Sequence, residues 1–143
     1  MNFNYPAQIT QCEDGRHLVT FRDIPHAITD GATIEEATME AKGCLEEAIA
    51  SLINDELDIP EPTKPVNEEL LIRISAQFSA KVAFYIAFKA SGLNKSQLAR
   101  KLNLNEKEVR RMLNAKYQTK VSRLEEGLAV MGYQLSVSLL SAA

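Results

Sequence analysis

The spacing of hydrophobic and polar positions changes period along this chain, and each change marks an element. Phe3, Tyr5, Ala7 and Ile9 alternate with Asn2, Asn4, Pro6 and Gln8, the two-residue period of a half-buried strand. Pro6 has no N–H to give a ladder, so the pattern places it at an edge or a bulge. Glu13-Asp14-Gly15-Arg16 reads as a turn, and His17–Phe21 as the second strand of a hairpin. A short third strand is expected near Ala27–Thr29, ending at a turn over Asp30-Gly31. The period then lengthens. Ile34, Ala37, Ala41, Cys44, Leu45, Ala48, Ile49, Leu52 and Ile53 form one stripe at helical spacing, with Glu35, Glu36, Glu40, Glu46 and Glu47 opposite. Thr33 and Glu36 predict a capping box, the hydroxyl taking the Glu36 amide while the carboxylate reaches back. One helix packed on a small antiparallel sheet follows from these patterns.

Pro60, Pro62 and Pro65 make residues 57–67 an extended, semi-rigid loop. Leu70–Ile74 reads as a further strand able to return to the first sheet, which places a domain boundary near Ser75. The first domain is then 1–75 and the second 76–143. The second is helical. Phe78–Ser91 is apolar almost all round and ends at Gly92; further helices are expected over Lys95–Leu102, Glu106–Leu113 and Ser122–Met131. In the tail Gln134–Leu140, Leu135, Val137 and Leu139 alternate with Ser136 and Ser138, a strand pattern. The fold class is therefore α+β: a small sheet with one packed helix, then an all-helical domain with a terminal strand.

With 143 residues, 45% hydrophobic and 24% charged, the composition is that of an ordinary globular protein and excludes collagen, disordered tails and disulfide scaffolds. No apolar run approaches the roughly 20 residues of a membrane span, and the N-terminus lacks the basic and apolar regions of a signal peptide. Cys12 and Cys44 form no CxxC and have no third ligand nearby, so a reduced, cytoplasmic protein without zinc or another cofactor is expected. The net charge of −3 conceals a division. Residues 1–62 hold three basic side chains against thirteen acids, a net of −10. Residues 81–123 hold eleven basic side chains against Glu106 and Glu108 alone, a net of +9. Halves so different in charge imply different partners.

The basic segment Leu93–Leu113 resembles a helix-turn-helix. Ala99 is small where two helices would approach, and Leu98, Leu102, Leu104, Val109 and Met112 supply a shared core. Asn103 stands where many such motifs have glycine, and asparagine is the next best residue for a left-handed turn. Asn94 and Asn105 are suitable N-caps. With the core inward, Glu106, Lys107, Arg110, Arg111 and Asn114 face outward, as a major-groove recognition helix requires. Arg or Lys can donate to guanine and Glu can accept from cytosine. Ser96 and Gln97 would meet phosphates at the start of the preceding helix. Lys95, Lys116, Lys120 and Arg123 would neutralise phosphates without reading sequence. Single-stranded RNA is disfavoured, because only Tyr117 offers a stacking surface near the basic patch. The unpartnered terminal strand implies pairing with its own copy. A homodimer or higher even oligomer would set two recognition helices roughly 34 Å apart on a palindromic operator.

Phe21–Ala37 carries a second pattern: strand, Asp23-Ile24-Pro25, short strand, Asp30-Gly31, then a helix opened by Thr33-Ile34-Glu35-Glu36-Ala37. It resembles the N-terminal domain of HicB antitoxins, and the downstream helix-turn-helix resembles the DNA-binding module of one branch of that family. The resemblance implies a partial RNase H-like fold without the nuclease's active site. It also implies that this domain neutralises HicA, a small basic mRNA-cleaving toxin, while the C-terminal domain represses the operon encoding both. A domain of net −10 agrees with such a partner, since opposite potentials speed encounter. Side chains around the Asp-Ile-Pro turn and on the acidic helix face are candidate toxin contacts: Asp23, His26, Asp30, Glu35 and Glu46.

Two other classes compete. Asp14, Asp23, Asp30 and Glu36 could gather a metal as nuclease carboxylates do, but each stands at a turn or helix start, where local capping employs it. His17 and His26 have no Ser or Cys at a telling spacing, and Cys44 falls on the apolar stripe, so no enzyme is expected. A ligand-sensing repressor without a toxin partner is the alternative; its acidic domain would need an apolar pocket with convergent polar groups.

Overall fold

The computed structural model describes residues 1–142, which form β1 (Asn4–Gln11), β2 (His17–Phe21), β3 (Ile28–Gly31), α1 (Ile34–Asn54), β4 (Leu70–Arg73), α2 (Ala76–Ser91), α3 (Lys95–Leu102), α4 (Glu106–Leu113) and α5 (Val121–Val130). They divide into two compact units, Met1–Ser79 and the residues from Ala80 onward. The sequence expectation put the division four residues earlier, at the start of α2. No described helix is long and apolar enough to cross a membrane.

In the first unit an antiparallel sheet of order β3-β2-β1-β4 carries α1 on one face. Ala7 pairs with Phe21, Ile9 with Val19 and Tyr5 with Ile72, so the period-2 positions of three strands share one face. Tyr5, Ala7, Val19 and Phe21 are buried there with Ala37, Ala41, Leu45 and Ile49 from α1. Each large side chain so buried contributes about 1.5–3 kcal/mol from removal of apolar surface from water. Leu70–Arg73 does return to the first sheet, beside β1.

Three local expectations are corrected. Pro6 lies on an inner strand, paired with Leu71, rather than on an edge strand or bulge. It is tolerated because the β1–β2 ladder begins only at Ala7, which leaves Pro6 without a ladder partner on that flank. Asp30-Gly31 closes β3 instead of turning, with Asp30 opposite Leu18 and Gly31 opposite His17. Gly31 is required by packing: a Cβ there would overlap the Ala37 backbone nitrogen and lie 2.7 Å from its Cα. Thr33 caps α1 as expected, accepting from the Glu36 amide at 3.1 Å, but the Glu36 carboxylate accepts from Ala32 N–H at 2.9 Å, one residue further out.

In the second unit Phe84, Leu98, Ala99, Val109, Met112, Leu124 and Leu128 form the core. α5 approaches closely because Gly127 leaves room for the Phe84 ring, which a Cβ would overlap. The tail is not a strand. Residues 133–142 have no regular secondary structure, with Leu135 half-buried against the core but Val137 90% and Leu139 99% exposed. A strand exists only through cross-strand hydrogen bonds, and among the described residues none pairs with this segment.

Candidate nucleic-acid and partner interfaces

The segment α3–turn–α4 is built from its caps outward. Asn94 accepts from Gln97 N–H at 2.8 Å and Gln97 Oε1 accepts from Asn94 N–H at 2.9 Å, a full capping box at the start of α3. α3 ends at Asn103, whose φ of 55° and ψ of 43° are the left-handed conformation expected of it. Asn105 then caps α4 by accepting from Glu108 N–H at 2.9 Å. Leu98, Ala99, Val109 and Met112 are buried, fixing the rotation of both helices.

That rotation gathers Glu106, Lys107, Arg110 and Asn114 on one exposed side of α4. Arg110 Nη2 donates to Glu106 at 2.8 Å, so the guanidinium is held along the helix with its other N–H groups open. Arg111 sits further round and is half-buried. It donates to Glu108 at 2.6 Å and stacks 5.4 Å from the centre of the Tyr117 ring. Asn114 accepts from Lys116 N–H at 2.9 Å, which shapes the loop after α4 and exposes Lys116. Ser96 is exposed in the first turn of α3, whereas the Gln97 oxygen is committed to its cap.

Lys81 was not foreseen. It lies in the apolar helix α2, is only 4% exposed, and hydrogen-bonds to uncharged oxygens. Its Nζ donates to the carbonyls of Arg111 (3.0 Å) and Met112 (2.9 Å) and to Thr119 Oγ1 (2.9 Å). The ammonium thus caps the C-terminal end of α4, where the helix dipole favours a cation, and ties in the following loop. Burial pushes its pKa down to about 8. The available signal was a lysine set inside the apolar run of α2, whereas the helix's other lysine, Lys89, lies in its last turn.

In the first unit the proposed contacts have varied employment. Asp23 is 7% exposed and accepts from both the N–H and the hydroxyl of Thr63, each at 2.9 Å. Arg22 beside it donates to Thr63 Oγ1, the Lys64 carbonyl and Glu69, the last at 2.8 Å. Glu69 in turn accepts from Val66 N–H at 3.0 Å, and the Arg22 guanidinium holds its carboxyl below the usual range. Tyr5 donates its hydroxyl to the Pro60 carbonyl at 2.7 Å. The Pro-rich loop is thereby tied at three points, and Asp23 is one of the ties. Arg22, Thr63 and Glu69 escaped the sequence reading because their partners lie 40 or more residues away.

His26 Nε2 lies 3.2 Å from the Ala48 carbonyl and anchors the Asp-Ile-Pro turn to α1. Glu46 accepts from Ser75 N–H at 2.7 Å. Asp30 pairs with Arg16 at 2.8 Å with both side chains about half exposed, and that bond lowers the Asp30 pKa. Glu35 is exposed in the first turn of α1. Asp23, His26 and Glu46 are therefore engaged in holding the unit together, while Asp30 and Glu35 present carboxylates outward. Among the described residues no three His, Cys, Asp or Glu side chains gather as metal ligands. Cys44 is half-buried and its thiol pKa is raised by that burial.

A model of a family described as the HicB-like antitoxin of bacterial toxin–antitoxin systems matches residues 4–83. Antitoxin HicB of Escherichia coli (strain K12) is 29% identical over 136 residues, covering 95% of this chain and 99% of its own length. Antitoxin HicB 1 of Photorhabdus laumondii is 31% identical over 138 residues, covering 96% and 88%. Antitoxin HicB of Pseudomonas fluorescens is 27% identical over 141 residues, covering 98% and 96%. These relatives are named as antitoxins rather than enzymes, and the chain belongs to the HicB-like antitoxin family of bacterial toxin–antitoxin systems.

Proposed function

We propose that the acidic first unit binds and neutralises a small basic, mRNA-cleaving toxin, and that the second unit represses the operon encoding both proteins. The observation that carries the reading is the joining, in one chain, of a strongly acidic sheet-and-helix unit to a helix-turn-helix whose exposed face is basic. α4 enters the major groove in this reading. Arg110, steered by Glu106, reads base edges with Lys107 and Asn114; Ser96, Lys116 and Gln97 position the backbone. Arg111, clamped by Glu108 and Tyr117, serves as a fixed positive charge at the groove edge.

Dimerisation is part of the proposal. The tail holds Val137 and Leu139 almost wholly exposed, and pairing it with the same segment of a second copy would cover both edges. The two recognition helices would then address a palindromic site.

Native mass spectrometry of the protein recovered from its own host tests the whole reading. The expected species is an even-numbered assembly of this chain with a small basic protein in fixed ratio, able to bind DNA upstream of its own gene. A bare dimer carrying a small molecule would instead identify a ligand-sensing repressor.

A further inference from the structure

The glycines of this chain answer to its own structure, with one exception. Gly15, Gly92 and Gly132 hold left-handed turns, and at Gly31 and Gly127 the missing side chain leaves room for the Ala37 backbone or the Phe84 ring. Gly43 does neither. It lies midway along α1, its φ is not positive, and a Cβ added there would meet nothing within 4 Å. Glycine is among the least favourable residues in a helix interior, so this position weakens α1 without return inside the chain. One turn earlier, on the same side of the helix, Met39 is 77% exposed. Methionine is flexible and polarisable, and it suits a surface that repacks against a partner. Glu35, Glu40 and Glu47 are exposed around the pair, in a segment with thirteen acids against three basic residues.

We propose that this side of α1, centred on Gly43 and Met39, is the docking surface for the basic toxin. Gly43 is a notch through which a partner's main chain or a bulky side chain reaches the helix backbone. Met39 packs beside it, and the surrounding carboxylates face lysines and arginines of the partner. The charge selects a basic protein and repels nucleic acid. The assignment rests on the antitoxin reading and names its interface.

The test uses the full chain and the small basic protein encoded beside it, with binding and dissociation rates measured for Gly43→Ala, Gly43→Leu and Met39→Lys. Gly43→Ala should raise the thermal midpoint of the free chain while weakening the complex several-fold. Gly43→Leu should weaken it at least 50-fold, mainly through faster dissociation, with circular dichroism and operator binding unchanged. Met39→Lys should weaken it at least tenfold. Undiminished binding by Gly43→Leu would overturn the proposal, as would a loss of self-association in that variant with the complex intact. If the unsubstituted chain fails to bind the basic protein at all, the antitoxin reading itself fails, and the surface assignment falls with it.

Discussion

Replacing Lys81 by methionine keeps the volume and apolar stem of the side chain and removes only the ammonium. Three bonds disappear: to the carbonyls of Arg111 and Met112 and to Thr119 Oγ1. Hydrogen bonds to a charged donor are worth about 1.5–3 kcal/mol each, or roughly 4–9 kcal/mol together. Against this stands the cost of burying the charge. A pKa pushed from 10.5 to about 8 corresponds to roughly 3 kcal/mol disfavouring the ammonium at neutral pH. The difference, about 1–6 kcal/mol, is the expected destabilisation, a range that contains the cost of leaving a buried polar group without its partner. The Arg111 carbonyl keeps the Asn114 N–H at 3.2 Å, which softens the loss at that acceptor. For a unit of this size the midpoint of thermal unfolding should fall by at least about 5 °C.

The pH dependence provides an independent check on the same bonds. Lys81 is a base whose folded pKa is lowered, so between about 8 and 10.5 the unfolded chain binds more protons than the folded one. Stability from this group therefore rises with pH across that window, and Lys81→Met lacks the rise. The gap between the two proteins should widen above pH 8 in urea titrations followed by circular dichroism. Two results would refute the reasoning. A variant as stable as the parent would mean that the acceptors return no more than desolvation costs. A gap that narrows above pH 8 would mean that they hold the charge more strongly than burial expels it.

Tyr5 titrates with the opposite consequence. Burial first, then the charges of Asp23 and Glu61, raise its pKa to about 12, so its stabilisation is complete below pH 10 and is lost as pH climbs to 12. Tyr5→Phe should cost about 1 kcal/mol through the lost bond to Pro60 and should unfold with a shallower pH slope between 10 and 12; identical slopes would contradict the assignment. Gly31→Ala forces a methyl group onto the Ala37 backbone and should destabilise the first unit by at least about 1–3 kcal/mol in chemical denaturation, whereas an unchanged midpoint would show that α1 can shift aside. Arg110→Ala should reduce discrimination at one operator position by about 1–3 kcal/mol in binding titrations with single-base variants. An equal loss on every sequence would make Arg110 a phosphate contact.

What the sequence reveals here is set by the range of the interactions. β2, α3 and α4 match their expected bounds because turn residues, caps and side-chain period act within a few positions of one another. Asn103 adopts its left-handed conformation for the same reason, since the demand arises where two adjacent helices meet. The tail shows where that reasoning stops. Its alternation is real, but a strand also needs a second edge, and the period of a segment says nothing about where that edge is.

The candidate contacts divide along the same line. Asp23 stood out because it occupies a recognisable turn, but its neighbours in space, Thr63 and the Arg22–Glu69 pair, come from the far side of the Pro-rich loop. A carboxylate 7% exposed and carrying those bonds is employed in holding the loop. An acid in a familiar turn is therefore weak evidence of a contact, because the physics that conserves turn geometry also consumes the side chain. Gly43 carries the reverse lesson. It attracted no notice in the sequence, where a helical glycine is merely tolerated. Only the empty space above it reveals a cost that folding alone leaves unexplained, and a cost of that kind directs attention to a second molecule.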